Sequence, residues 1–249
     1  MMNFLKKLYW YIVSPLKDAV VNEIVPYRSF RKNSYSQHGE DMMIIDCFQN
    51  VMNIKKPSYI DIGAHHPYEI SNTAVFYEKG CRGINIEANP VLFQNFLRER
   101  PDDININCGL CSEDKTGEIM SFYMIDDHSP CNTFNKDLMD KFLAEHPEFS
   151  VKEIKSIKMK SIRTVFDENG IDAFPDYMSI DIEGMEWDVL KDWDFMSDGP
   201  KIMTLEISLR HSHGKELKEK IESSGYFLWL KILSNYTFVR SEYKDLIYR

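Results

Sequence analysis

The stretch YIDIGAHHP, Tyr59–Pro67, is a short apolar run that stops at a glycine turn. A turn that cradles a dinucleotide carries three glycines in the order G-x-G-x-x-G. Here Gly63 stands alone, followed by Ala64, His65 and His66. A brief apolar run closed by a turn residue reads as a buried strand, so SYIDIG is the first strand of an α/β unit whose turn serves something other than a diphosphate.

Upstream, Asp41 to Val51 carries Met42, Ile44, Ile45, Phe48 and Val51 at helical spacing. Downstream, Ser71 to Lys79 is expected to be a helix capped by Ser71 or Asn72 and stopped by Gly80. RGINIEANP reads as a second strand ending in Glu87, with Pro90 opening a helix that runs to Arg100. DININCGL is expected as a third strand, GEIMSFYMID as an extended run, and Asn135 to Ala144 as a short helix. After a lysine-rich stretch come the helix SIRTVFDENG, the buried strand DYMSIDIEG, the helix GMEWDVLKDW and the strand KIMTLEIS. Leu217 to Ser224 makes a last helix, and GYFLWLKIL with YTFVR a closing antiparallel pair. Alternating strands and helices imply a doubly wound, mainly parallel Rossmann-like sheet with an antiparallel C-terminal edge.

The 249 residues suit one such domain, 35–249, preceded by an N-terminal helical extension, 1–34. With 43% hydrophobic and 28% charged residues the chain has the composition of a soluble globular protein. A net charge of -9 without a Lys/Arg block argues against a nucleic-acid partner. Five cysteines in a chain this long form no disulfide framework, so a reducing cytoplasm is expected, with the inner membrane face as a further location. Cys108 and Cys111 in CGLC have redox or zinc spacing, but a turn-like SEDKTG follows them, and two small side chains ending a strand is the plainer reading. The extension mixes Lys6, Lys7 and Lys17 with Leu8, Trp10, Ile12 and Val13; its apolar run is far short of the ~20 residues that span a bilayer. It is expected to pack as an amphipathic helix, to form an oligomer contact or to lie on a membrane surface.

Asp61, Glu87, Asp181 and Glu206 all fall at or near strand ends, where an unpaired buried carboxylate is costly unless it has a job. In sheets of this kind ligands bind beyond the carboxyl ends of the strands. Glu87 lies 87 − 61 = 26 residues after Asp61, near the interval of roughly 20 at which an acidic residue accepts hydrogen bonds from ribose hydroxyls. An adenosine bearing an amino-acid sulfonium has no phosphate, so Gly63 opens the turn while Ala64, His65 and His66 line it and Asp61 faces an ammonium or a water.

The segments YSQHGEDMMI, YIDIGAHHPYEISNTAVFYEKGCRGINIEANP, RPDDININCGLCSED and SIDIEGMEWDVL, in that order, resemble the FkbM family of methyltransferases over about residues 35–210. The resemblance implies a class I methyltransferase fold and methyl transfer from S-adenosylmethionine, commonly to a hydroxyl of a sugar or natural product. It further implies that Asp61 and Gly63 form the methionine-side turn, that Glu87 with Ala88 holds the ribose, and that Cys108, Gly109 and Leu110 flank adenine. Gln37 to Asp41 would close over the cofactor. His65 departs from the commonest turn of the family, leaving His65 or His66 as the ligand contact.

For the acceptor, Asp181 is the expected base, with His211 and His213 as further candidates. Asp181, Glu183 and Glu206 also form a candidate set for magnesium or manganese. The expected acceptor is a carbohydrate hydroxyl, on a nucleotide-activated sugar or a surface-polysaccharide unit. A noncatalytic protein that keeps the cleft and binds a membrane or protein partner is the alternative.

Overall fold

The computed structural model describes residues 34–207 and 213–248. The expected N-terminal helix and His211 lie outside these residues. Tyr59–Ile62 (β1) is buried at all four positions and pairs in parallel with Gly83–Ile86 (β2) on one side and Tyr177–Ile180 (β7) on the other. Such two-sided burial is what near-continuous apolar strands in parallel sheets produce. Ile104–Ile106 (β3) extends the sheet beyond β2, and Ile202–Glu206 (β8) extends it beyond β7. The sheet order is β3-β2-β1-β7-β8-β10-β9, where Tyr226–Ile232 is β9 and Asn235–Arg240 is β10. Strand order therefore reverses between β1 and β7, and a crevice opens at their carboxyl ends.

The expected antiparallel edge takes a particular form. β10 runs antiparallel to both β8 and β9 and lies between them, so the outermost strand, β9, points the same way as the parallel set.

Two other expectations need correction. DININCGL is not one strand: the Asn107 side chain donates to the carbonyl oxygens of Glu87 (2.7 Å) and Ala88 (3.0 Å), the ladder with β2 ends, and the chain leaves the sheet. Gly109–Leu110 (β4) then joins a separate three-stranded sheet, β4-β6-β5, with Ile119–Met124 (β5) and Glu153–Lys160 (β6). β6 is the lysine-rich stretch in which no strand was expected. Its period-2 pattern is real, with Ile157 and Met159 buried and Ser156 and Lys158 exposed, but Lys155, Lys158 and Lys160 lowered its apolar content.

Ile60 and Ile62 alternate with Tyr59 and Asp61, so the two sets face opposite layers. The Asp61 face carries a polar row across six strands, Asn105–Asn85–Asp61–Ser179–Thr204–Thr237 in register. These groups satisfy one another in part: Asn85 donates to Asn105 (2.8 Å), and the Thr204 and Thr237 hydroxyls are 3.0 Å apart.

Beneath the row lies Arg100, with none of its surface exposed, at the end of the helix Pro90–Glu99. Its guanidinium donates to Asp103 (3.1 Å), to the Tyr59 hydroxyl (2.8 Å) and, from both terminal nitrogens, to the Thr73 hydroxyl (3.1 and 3.0 Å). Asp103 in turn accepts from Tyr59 (2.6 Å), the Gly83 amide (2.9 Å) and Asn85 (3.0 Å). Among the described residues no helix is long and apolar enough to cross a membrane.

Removing one partner of a fully buried pair strands the other charge, at a cost of about 3–5 kcal/mol. Arg100→Met is therefore expected to lower unfolding stability by about that amount in urea denaturation. A loss below about 1 kcal/mol would show that the Arg100–Asp103 pair is dispensable.

Candidate functional site

Gly63 sits at φ 76°, and a Cβ there would lie 1.9 Å from the Asp181 carbonyl oxygen. Only glycine lets the turn after β1 close against the end of β7. The next amides explain the missing glycines. Gly63 and Ala64 both donate to the Ile86 carbonyl (3.0 and 3.1 Å), and His65, itself at φ 52°, donates to a Glu87 carboxylate oxygen (2.7 Å). All three turn inward, and a diphosphate needs outward-pointing amides. The turn is built to hold Glu87, not a phosphate.

Glu87 is buried, and its second oxygen accepts from the Asn89 amide at 2.7 Å. Burial pushes its carboxyl up to about 7, against the pull of the two amide bonds. A carboxylate has roughly four lone-pair sites, so two remain for hydroxyls in the cleft that Glu87 lines.

Asp61 is also buried, and burial raises its pKa while Thr73 and Arg100 oppose the shift. Thr73 donates to Asp61 at 2.6 Å while accepting from Arg100. Because Arg100 occupies the acceptor side of that hydroxyl, its proton is directed at Asp61. Neither Thr73 nor Arg100 was expected at the site. The nearest signal was SNT after β1, which was read for the family resemblance and for a helix cap that Ser71 supplies by accepting from the Ala74 amide at 3.1 Å, with no role given to Thr73.

Asp61, Gly63, Ala64, Glu87 and Ala88 line one cleft of about 1030 Å³, counting its open mouth. Cys108, Gly109, Leu110 and Asp181 line it too. His65 rather than His66 faces it, with its Nε2 3.1 Å from the His128 carbonyl. The expectation for His66 is corrected: its Nδ1 accepts from the amides of Tyr68 (3.2 Å) and Glu69 (3.0 Å), capping the following turn away from the cleft. Gln37 is exposed and does not line the cleft. Elsewhere in its segment Asp41 accepts from Ser34 (2.6 Å) and Tyr35 (2.8 Å), and Glu40 accepts from Asn235 on β10 (3.1 Å).

One wall is aromatic. Phe122 and Phe134 meet with centroids 4.7 Å apart, and Gly109 admits Phe134 because a Cβ there would lie 2.7 Å from its ring. Cys108 and Cys111 are buried, and burial pushes their thiols up to about 12 and 11, which disfavours the thiolate that redox or zinc chemistry needs.

At the other end, Asp181, Glu183 and Glu206 bring one carboxylate oxygen each within 4.8 Å of the others. Glu206 accepts from Ser234 (2.8 Å), and neighbouring Glu186 from the amides of Ile182 (3.1 Å) and Gly184 (3.3 Å). Crowding by surrounding atoms, then repulsion from Glu206, Glu183 and Glu186, raises the Asp181 pKa well above the usual carboxylate range. Burial and the charges of Glu206 and Glu186 push Glu183 up to about 8. A group so poised can take a proton from a hydroxyl, and three such oxygens are also a donor set for a hard divalent ion.

The Methyltransferase FkbM domain matches residues 61–239, which begins at Asp61 and runs through every strand of the main sheet to β10. The chain belongs to the FkbM methyltransferase family. The mostly parallel sheet with helices is a class I methyltransferase fold, as the resemblance implied. No curated protein matches the chain. In this FkbM protein the residues singled out along the chain, Asp61, Glu87 and Asp181, share one rim.

The raised carboxyl of Glu183 has a sign that can be checked. A group titrating near 8 when folded, against an ordinary 4.5, keeps its proton in the native state where the unfolded chain has lost it. The native state then binds more protons, and stability falls as pH rises across that window. Glu183→Gln is expected to leave stability little changed at pH 4.5 and to raise it at pH 8.5, by about 2–4 °C in Tm for each kcal/mol relieved. A pH-independent difference in Tm would contradict the shift.

Proposed function

We propose that the protein is an S-adenosylmethionine-dependent O-methyltransferase acting on a carbohydrate hydroxyl, with Asp181 as the base. One observation carries this reading: a cleft that joins an inward-tied, phosphate-averse turn and a hydroxyl-accepting Glu87 to a cluster of high-affinity proton acceptors. The chain's residues fit the cofactor. Glu87 has lone pairs for the two ribose hydroxyls, Phe122, Phe134, Leu110 and Gly109 supply a flat apolar slot, and Asp61 supplies a fixed carboxylate for an ammonium.

When bound, S-adenosylmethionine supplies a methyl group activated by its sulfonium. The protein's work is then placement and proton removal. Asp181 stands at the end of β7, directly against the Gly63 turn, and receives the acceptor's proton. Burial, then the charges of Glu206, Glu183 and Glu186, raises its affinity for that proton. A divalent ion is a second reading, favoured by the 4.8 Å spacing of the three oxygens. The five free cysteines support a reducing compartment.

Titration calorimetry with S-adenosylmethionine and a radiomethyl transfer assay test the proposal. No cofactor heat would remove it; cofactor binding with no transfer to any saccharide would favour the scaffold alternative. Glu87→Ala is expected to weaken cofactor binding roughly 10–100-fold, the worth of hydrogen bonds to a charged group. Thr73→Val should weaken it by about 5–100-fold while Thr73→Ser retains it, because only the hydroxyl orients Asp61. Asp181→Asn is expected to lower turnover by about 10²–10⁴-fold with cofactor affinity retained. Equal loss of affinity in Glu87→Ala and Asp181→Asn would contradict these roles. Turnover unaffected by EDTA would exclude the ion.

A further inference from the structure

Five described residues other than glycine have a positive φ: Asn53, His65, Ile70, Glu183 and Leu233. Three of them, His65, Ile70 and Glu183, line the same cleft. Among the five only Ile70 is β-branched. It stands at φ 55°, where such a side chain is crowded against its own backbone and where a turn ordinarily uses glycine or asparagine. Gly63 and Gly80 fill left-handed positions of that kind on either side of it.

The strain is imposed from both directions. Before Ile70, the amides of Tyr68 and Glu69 donate to His66 Nδ1 (3.2 and 3.0 Å). After it, the Ser71 amide donates to the Tyr35 carbonyl (3.0 Å), the Asn72 side chain to the Ser179 hydroxyl (3.1 Å) and the Thr73 hydroxyl to Asp61 (2.6 Å). A backbone conformation this unfavourable persists only where its neighbours fix it, and such residues gather at ligand clamps. The same bonds set where Ile70 lies. Ser179 is in register with Asp61, and Thr73 grips that carboxylate, so Ile70 borders the cleft on its Asp61 side.

The Ile70 side chain is 52% exposed, which leaves half of its apolar surface in water at the rim of the cleft. Covering that surface favours an apolar group over a phosphate or a hydroxyl. Asp61 beside it suits an ammonium. A ligand that satisfies both carries an ammonium on a short aliphatic chain.

We infer that Ile70 is a cofactor-binding residue that closes over the methylene chain of the amino-acid arm of S-adenosylmethionine, held in place by its strained backbone. The inference rests on the methyl-transfer reading and deepens it by assigning one side chain to the arm and none of its grip to the adenosine. Strain at Ile70 then exchanges stability of the fold for hold on the ligand.

The test measures calorimetric affinity of the full-length chain for S-adenosylhomocysteine and for methylthioadenosine, which keeps the adenosine and the thioether but lacks the amino-acid arm, together with the Tm of each variant. Ile70→Ala and Ile70→Gly should both bind S-adenosylhomocysteine about 3–10-fold more weakly, with affinity for methylthioadenosine retained. Ile70→Val should keep the affinity for both ligands within about twofold. Ile70→Gly should melt above Ile70→Ala, because only glycine adopts this φ freely. Equal weakening of the two ligands, or Ile70→Ala melting above Ile70→Gly, would overturn the proposal. No binding of S-adenosylhomocysteine by the wild-type chain removes the methyl-transfer reading and the proposal with it, whereas wild-type binding that Ile70→Ala leaves intact removes the proposal alone.

Discussion

A single guanidinium, that of Arg100, anchors the Asp61 face of the sheet. It is wholly buried and spends its donors on Asp103, Tyr59 and Thr73. A charge in that position is tolerable only with paired and hydrogen-bonded neighbours. Asp103 provides the countercharge and locks the start of β2 through the Gly83 amide, while Thr73 relays the remaining donors to Asp61. The polar row that crosses six strands is therefore organised from one end, and the carboxylate at its centre has its orientation dictated from beneath.

From that base two kinds of carboxylate are made from the same chemical group. Glu87 and Asp61 are tied by amides and a hydroxyl, so they act as fixed acceptors. Burial raises the proton affinity of all four, and at Asp181 and Glu183 the like charges of neighbouring acids add to it. Local surroundings thus hold identical groups in two ways, by donors at one end of the cleft and beside neighbouring acids at the other.

Much of this was legible before any coordinates. β1 could be read from its unbroken apolar run, and Asp61, Glu87 and Asp181 from their places at strand ends, because a strand's carboxyl end is a local property of the chain. Arg100 was not legible: an arginine closing an exposed-looking helix is ordinary in sequence, and its burial depends on Tyr59 and Thr73 arriving from other elements. β6 was hidden because Lys155, Lys158 and Lys160 dilute its short apolar pattern, and DININCGL was split by Asn107, whose side chain takes over carbonyls that a continuing ladder would have used. His66 was misplaced because adjacent histidines differ only in backbone angle, and it is His65 that adopts φ 52°.

The contact between Gly63 and the Asp181 carbonyl has a mechanical meaning. With no side chain between them, the two loops are in direct steric register, and neither can drift without pushing on the other. The end of β7 and the turn after β1 therefore behave as one rigid seam, and any displacement of either is transmitted to both sides of the cleft they line.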